Sequence, residues 1–347
     1  MRRSPSISIS TFALLVAATS AAAQQGPDTT WVPVVERPAY ARNGPRVGID
    51  EAHHNFHTVS GRYRPFATLL ARDGYRVSGS TQPFSRASLA AFDVLVIANA
   101  RGGDDPATAA EPAFTAEERA AAREWVRGGG SLLLIADHAP FGAATEALAR
   151  EFGVEMSKGF TFDTTAGRNA GNPTFLRFTR ENGLIGDHPI FQGRDLGDWI
   201  STVVTFTGQS LSVPAGASPL LLLSPTAQDR APPTAEEARD QAARRQARID
   251  SIVAAVRAGG GRDTTAVLAT PLREMGPQRM TSAAGRAQGV ALAFGAGRVV
   301  VLGEAGMLSA QVSEIPGRAP MKMGMNVPGS DDQQFALNVM HWLSRLF

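Results

Sequence analysis

The residues best suited to chemistry are histidines and carboxylates that lie in short polar clusters. Five of the six histidines belong to three such clusters, at residues 50–57 (DEAHHNFH), at Asp137-His138 and at Asp187-His188. A further acidic residue, Glu304, follows the apolar run VVVL. Imidazole and carboxylate groups act as metal ligands and as general acids and bases. The sequence therefore predicts a polar site, provided that the fold brings these clusters together.

Two of the clusters together predict a divalent metal site. The candidate ligands are Glu51, His54, His57, Asp137 and His138. This mixture of imidazoles and carboxylates suits Zn²⁺, Mn²⁺ or Fe²⁺. Such an ion would lower the pKa of a bound water toward about 7, and Glu304 would serve as the catalytic general base. The zincin motif H-E-x-x-H is absent, because position 54 is a histidine.

Each cluster also has a structural interpretation that the sequence leaves open. Residues 50–57 could form a polar loop whose side chains cap the following turn. Asp137 could cap the helix that begins near Pro140. Asp187-His188-Pro189 has the composition of a turn. His341 falls on the polar face of the last helix, which predicts a solvated side chain.

The elements that would position these residues form an α/β pattern. Short apolar runs such as VLVIA (94–98) and LLLIA (132–136) are apolar at consecutive positions, which indicates strands buried on both faces. Amphipathic segments lie between them. This alternation predicts a doubly wound, mostly parallel sheet with helices on both faces. The runs at 290–294 and 299–302 lie close enough for an antiparallel edge hairpin. Because ligands bind at the carboxyl ends of parallel strands, residues 51–57, 137–138 and 304 are expected to converge there.

Local signals mark the ends of several helices. Thr115 and Glu118 form a capping box that begins one helix, and Ser330–Gln333 is expected to begin the last helix in the same way. Two segments interrupt the pattern. Residues 155–194 predict an excursion over the rim of the sheet. The charged residues 226–265 predict a helical insertion, either exposed or used to dock a partner.

The N-terminus has the pattern of a secretory signal peptide over residues 1–23: a basic start, a short apolar core and a small-residue cleavage site. Residues 24–44 are a polar, Pro-rich, extended lead-in, and residues 45–347 are predicted to form one domain. An uncleaved N-terminal anchor is the alternative. No later apolar run is long enough to span a bilayer, so a periplasmic or secreted location is expected.

Composition excludes several classes of function. The absence of cysteine excludes a thiol nucleophile and Cys-ligated zinc. The 34 basic and 32 acidic residues are nearly balanced. The sequence has no basic stripe interleaved with aromatic residues, so nucleic-acid binding is not expected. No P-loop, G-x-S-x-G elbow or strand-linked G-x-G-x-x-G is present, so there is no nucleotide or flavin signature.

Several stretches resemble a known family. VGIDEAHHNF, GGSLLLIADHAPFG, GDHPIFQG, VTFTGQSL and GRVVVLGEAGMLSAQ are similar to exported proteins of the class I glutamine-amidotransferase-like superfamily, in the branch with gliding-motility and intraflagellar-transport domains. The resemblance implies a flavodoxin-like sheet. In active amidotransferases a cysteine occupies the sharp strand–helix turn, whereas the matching turn here reads Ala136-Asp137-His138-Ala139. The resemblance therefore implies that this protein lacks the Cys-dependent amidotransferase activity.

Two functions of different classes are consistent with these patterns. One is a metal-assisted hydrolase acting on an envelope or extracellular substrate. The other is a non-catalytic binding module for a glycan, peptide or protein partner at the same rim. A purely structural polar network is a third, weaker interpretation. The expected partners are small molecules, glycans or peptides, and the sequence does not determine the oligomeric state.

Overall fold

The structure, a computed structural model, describes residues 24–258, 279–314 and 320–347. In chain order its strands are β1 (Gln24–Pro27), β2 (Arg46–Asp50), β3 (Arg76–Ser80), β4 (Val94–Ala98), β5 (Ser131–Ile135), β6 (Phe160–Phe162), β7 (Arg177–Thr179), β8 (Thr202–Val204), β9 (Ser218–Leu222), β10 (Gln228–Arg230), β11 (Met280–Ser282), β12 (Ala287–Phe294), β13 (Gly297–Leu302), β14 (Ala310–Glu314) and β15 (Met321–Gly324). Its α-helices are α1 (Arg64–Arg72), α2 (Arg86–Leu89), α3 (Ala116–Arg127), α4 (Phe141–Arg150), α5 (Ala235–Ala258) and α6 (Asp332–Leu343).

A seven-stranded sheet in the order β3-β2-β4-β5-β13-β12-β9 forms the centre. The first five strands in this order run parallel, and β12 and β9 pair antiparallel. The predicted hairpin is therefore present as β12 and β13, and β9 extends it to the outer edge. Pro219 lies in this edge strand, the position at which sheets tolerate proline. The α/β class is confirmed.

Both faces of the sheet are covered, as the continuous apolar runs predicted. In β4, Val94 and Val96 belong to a core that also contains residues of α1 and α6. Leu95 and Ile97 point to the opposite core, shared with α3 and α4. Fully burying a Leu or Ile side chain contributes about 1.5–3 kcal/mol, and β4 contributes to both cores in this way.

The segments around the sheet are more ordered than the sequence indicated. The start of the lead-in forms β1, which pairs with β14. The excursion at 155–194 contains β6, β7 and a 3₁₀ turn, and the insertion at 226–265 begins with β10 and α5. The predicted signal peptide and the end of the insertion lie outside the described residues. None of the described helices is both long and apolar enough to cross a bilayer.

Three local predictions are wrong, because long-range contacts replace local ones. His341 is fully buried, and its Nε2 lies 2.6 Å from Asp73 Oδ2. The Ser330–Gln333 capping box does not form: Ser330 donates its hydroxyl to the carbonyl of Val327, and the residue before α6 is Asp331, whose Oδ2 accepts the N–H groups of Ser201 and Thr202. Asp137 forms no capping bond with α4. The Thr115–Glu118 capping box is confirmed.

Candidate functional site

The carboxyl rim of the sheet contains a cavity of about 400 Å³. Asp137 lies two residues beyond β5, and Glu304 lies two residues beyond β13, so the parallel register brings them to the same rim. The polar lining includes His57, Arg62, Asp137, His138, Thr207, Glu304 and Gln311. The aromatic lining consists of Phe56, Phe141, Phe175 and Phe206. Small-ligand sites typically combine an apolar wall with a few convergent polar groups in this way.

Hydrogen bonds fix the Asp137 carboxylate at the floor of the cavity. Asn99, which follows β4, donates from Nδ2 to Asp137 Oδ2 at 2.7 Å, and its Oδ1 accepts the Asp137 N–H at 2.9 Å. The N–H of Ala305 donates to Asp137 Oδ1 at 2.6 Å. The loops that follow three neighbouring strands, β4, β5 and β13, thus fix the position and orientation of the Asp137 carboxylate.

Backbone donors hold the Glu304 side chain in a similar way. Its Oε1 accepts the N–H of Gly306 at 2.6 Å, and its Oε2 accepts the N–H of Met307 at 2.8 Å. Both donors belong to the 3₁₀ turn Gly306–Leu308. A Cβ at Gly306 would lie 2.6 Å from Glu304 Oε1, so the glycine allows this close approach.

Asp137 and Glu304 form a pair of acids whose protonated forms are favoured. Burial raises the pKa of Asp137, against the hydrogen bonds from Asn99 and Ala305. Burial also raises the pKa of Glu304, and the charge of Asp137 raises it further. Two carboxylates sharing a site of low dielectric cannot both ionise easily. The pair therefore retains a proton to higher pH than isolated carboxyl groups do.

His138 supplies a basic nitrogen beside this acidic pair. Its Nδ1 donates to the carbonyl of Ala139 at 2.7 Å, which leaves the lone pair of the neutral ring on Nε2. The ring stacks on Phe160 with centroids 3.7 Å apart. Burial lowers the pKa of His138, and the charge of Arg230 adds to this effect, whereas the bond to Ala139 opposes it. Neutral imidazole is therefore the stable form at neutral pH.

His57 reaches the cavity from the 50–57 cluster. Its ring packs against Tyr63 at 4.6 Å and Phe56 at 5.5 Å between centroids. Burial, followed by the charge of Arg62, lowers its pKa to about 3, so the ring is neutral. Its Nδ1 is buried and has no hydrogen-bond partner among the described residues. Tyr63 in turn donates its hydroxyl to the carbonyl of Ala305 at 3.0 Å.

The predicted metal ligands do not all meet. His57, Asp137 and His138 line the cavity, together with the predicted base Glu304. Glu51 instead accepts the N–H of Val59 at 2.7 Å, and His54 points outward to Asp104. The His54 side chain is 48% exposed, and its backbone adopts a positive φ of 47°. Across residues 24–258, 279–314 and 320–347, no three His, Asp or Glu side chains are placed to hold a metal ion.

His53, which was not among the candidates, forms a buried ionic clamp. Its Nδ1 lies 2.9 Å from both oxygens of Asp50, and its Nε2 lies 2.8 Å from Glu118 Oε1. The ring also packs against Phe84 and Phe114, with centroids 4.5 and 4.6 Å away, and these two phenylalanines stack on each other. The clamp attaches the 50–57 loop to the N-terminus of α3, and so holds His57 at the cavity.

The clamp predicts a pH-dependent contribution to stability. Burial opposes charge on His53, but the hydrogen bonds and charges of Asp50 and Glu118 outweigh it and raise the pKa of His53. A raised pKa means that the contribution is complete below about pH 6.5 and is lost as pH rises through the folded-state value. We expect His53→Gln to lose about 1 kcal/mol more, relative to wild type, at pH 6 than at pH 9, measured by urea unfolding. A difference between the two proteins that does not change with pH contradicts the clamp.

The Asp187-His188 cluster is structural, as its turn composition indicated. His188 precedes the 3₁₀ turn Pro189–Phe191, and its Nδ1 accepts the N–H of Ile190 at 3.2 Å. Burial lowers its pKa to about 4. His188 is absent from the lining of the rim cavity.

Sequence reasoning missed several residues of the site, namely Asn99, Arg62, Tyr63, Phe206 and Thr207. Asn99 offered a signal, because a polar residue directly after the buried strand β4 must lie at the carboxyl rim. Arg62 lies in the turn before α1, and Phe206 follows β8, which pairs with β7 and not with the central sheet, so only the fold brings them to the cavity.

A larger groove, of about 790 Å³, lies at the opposite end of the sheet, among residues such as Asp93, Trp125 and Ser131. These residues lie at or just before the beginnings of strands, or on α3. The groove contains none of the predicted site residues, so its size does not make it the better candidate.

Comparisons with known proteins bear on the fold. No family model matches the sequence, and no curated protein matches it. Among solved structures, the mmIFT52 N-terminal domain aligns over 86% of this chain and 97% of its own length, with a TM-score of 0.52 and 13% identity. The likeness is one of fold. It supports, at that level, the resemblance to intraflagellar-transport domains.

Two other neighbours are more distant. A ThuA-like protein from Bacteroides uniformis covers 90% of this chain and 94% of its own, with a TM-score of 0.39 and 11% identity. A cytoplasmic protein from Salmonella typhimurium covers 86% and 98%, with a TM-score of 0.39 and 10% identity.

Proposed function

We propose that the rim cavity is the active site of a hydrolase that acts on a small polar substrate. The observation that carries this proposal is the presence of a buried acidic pair and a neutral histidine in one cavity. Environments that push the pKa values of neighbouring groups in different directions are typical of acid–base catalysis. The pattern at residues 1–23 supports a periplasmic or secreted setting for the substrate.

The groups divide into an acid and a base. The Asp137–Glu304 pair keeps a proton that it can donate to a leaving group. His138 Nε2 carries a lone pair that can accept a proton from an attacking water. Asn99 and the 3₁₀ turn after Glu304 fix the acids without taking part in proton transfer. Hydrolysis needs both roles, and in this proposal the residues of one cavity perform them.

A non-catalytic binding module is the second candidate, and one observation favours it. All four oxygens of Asp137 and Glu304 already accept a hydrogen bond from the protein. A network whose hydrogen bonds are all satisfied can shape a binding site without taking part in catalysis. We also propose, from the sequence motifs and the shared fold, that the chain is a glutamine-amidotransferase-like protein that lacks the nucleophile.

The test compares turnover by wild-type protein and by His138→Phe on a panel of 4-nitrophenyl esters and glycosides. Phenylalanine preserves the ring stacked on Phe160 but removes the basic nitrogen, so we expect kcat to fall by about 10²-fold or more. Assays with EDTA and with added Zn²⁺, Mn²⁺ or Fe²⁺ test the metal-assisted form of the proposal. Equal turnover by both proteins contradicts the role of His138, and no turnover by wild type favours the binding module.

A further inference from the structure

Arg62 brings a positive charge to the cavity in a fixed orientation. Its guanidinium lies over the ring of Phe56, 4.4 Å from the centroid, and its Nη1 donates to Gln311 Oε1 at 2.6 Å. Stacking and a hydrogen bond at one end preorganise the planar fork and leave other N–H groups able to donate. Arg62 lines the same cavity as Asp137 and Glu304.

The charge of Arg62 has no acidic partner among the residues that the structure describes. Other arginines, such as Arg37, Arg46 and Arg194, pair with aspartates at 2.5–2.9 Å. Burial alone lowers the pKa of Arg62, with no opposing contribution from Asp137 or Glu304. Phe56 and Gln311 supply Arg62 with a ring contact and a neutral hydrogen bond but no counter-charge, which an anionic ligand would add.

The remainder of the lining indicates what the anion is attached to. Phe141, Phe175 and Phe206 offer flat apolar faces of the kind that pack against the C–H face of a sugar ring. Thr207 and Ser313 offer hydroxyl groups for hydrogen bonds with ligand hydroxyls. A volume of about 400 Å³ suits a ligand of one or two sugar rings.

We propose that the cavity binds a sugar acid, with the carboxylate held by Arg62 and the ring held against the phenylalanines. The inference rests on the proposed function and gives its substrate class. In this arrangement the carboxylate lies at the Arg62 end, while the acidic pair and His138 face the remainder of the sugar. Proton retention by the acidic pair limits the negative charge that an incoming anion would meet.

The test measures binding of matched acid and neutral sugars: D-glucuronate against D-glucose, and D-galacturonate against D-galactose. Isothermal titration or ligand-observed NMR on wild-type protein is expected to show at least about tenfold tighter binding of one acid than of its neutral partner. Arg62→Gln should remove that preference. The control is Arg64→Gln, which changes an exposed arginine on α1 that does not line the cavity and should retain the preference.

Each contrary outcome overturns the inference. These outcomes are no acid binding to wild type, equal binding of acid and neutral sugar, a preference that survives Arg62→Gln, and displacement of the acid by equimolar inorganic phosphate or sulfate. None of these outcomes contradicts the proposed role of the Asp137–Glu304 pair in acid–base catalysis, because the proton affinity of the pair is measured separately. Conversely, sugar-acid binding without turnover of the 4-nitrophenyl glycosides of the same sugar acids leaves the inference standing and contradicts the hydrolase.

Discussion

Replacing Glu304 with glutamine is expected to lower kcat by roughly 10²–10⁴-fold on any panel substrate that the wild-type protein turns over. Glutamine has nearly the same shape but cannot carry an exchangeable acid proton. One cost is structural, since the amide nitrogen must face a backbone N–H of Gly306 or Met307. That mismatch costs about 1–3 kcal/mol of unfolding free energy. Kinetics must therefore be measured well below the melting temperature of the variant.

The matched control for this substitution is Asp332→Asn. Asp332 is also fully buried, and the charge of Glu304 raises its pKa, but it does not line the cavity. Its raised pKa favours the neutral acid in the wild-type protein, so the change to a neutral amide alters little of what Glu304 experiences. We expect kcat of this control to stay within about threefold of wild type. A similar loss in both variants, or no loss in Glu304→Gln, contradicts the catalytic role of Glu304.

Asp332→Asn itself is expected to stabilise the protein at high pH. Asp332 Oδ1 accepts the N–H of Val204 at 2.9 Å, whereas Oδ2 is buried without a partner among the described residues. Burial raises the pKa of Asp332 well above its ordinary value, and the charge of Glu304 adds to this. The folded state thus loses stability as pH rises above about 4, where the unfolded carboxyl ionises. Asparagine keeps the acceptor and cannot ionise.

We expect the two proteins to unfold with similar free energies at pH 4, and Asp332→Asn to be more stable by about 3 kcal/mol at pH 8. Urea unfolding across this range measures the difference. Asp331→Asn is the control, because Asp331 Oδ2 accepts the N–H groups of Ser201 and Thr202 and its replacement should destabilise the protein. A stability difference for Asp332→Asn that is the same at pH 4 and pH 8 would mean that the buried carboxyl does not titrate as inferred.

The sheet could be predicted from the sequence because its signals are local. The runs at β4 and β5 are apolar at every position, and only burial on both faces explains such a pattern. The position of Asp137 and Glu304 followed from the same reasoning, because residues directly after parallel strands share one rim. The placement of Asp137 and Glu304 at one rim could be predicted because it depends only on the strands being parallel, and not on which side chains touch.

The failures have a common physical cause. The sequence does not distinguish His53, His54 and His57. His54 adopts a positive φ and is exposed, whereas His53 is buried and bonded to Asp50 and Glu118. His341 looked solvated on a helical projection, yet α6 is buried on nearly all sides and Asp73 meets the ring. For His53 and His341 the deciding partners include one far away in sequence, Glu118 and Asp73 respectively. Arg62 gave no signal because its role depends on having no ion-pair partner among the described residues, which the sequence does not reveal.

The central claim is that Asp137 and Glu304 together hold a proton that ordinary carboxyl groups would have lost. A ¹³C NMR titration of the side-chain carboxyl carbons, assigned with Asp137→Asn and Glu304→Gln, measures this directly. We expect both groups to titrate above the usual value of about 4, with the Glu304 midpoint higher than that of Asp137. If both carboxyl groups are fully ionised by about pH 5, the pair cannot supply a proton near neutral pH, and the proposed acid–base site is contradicted.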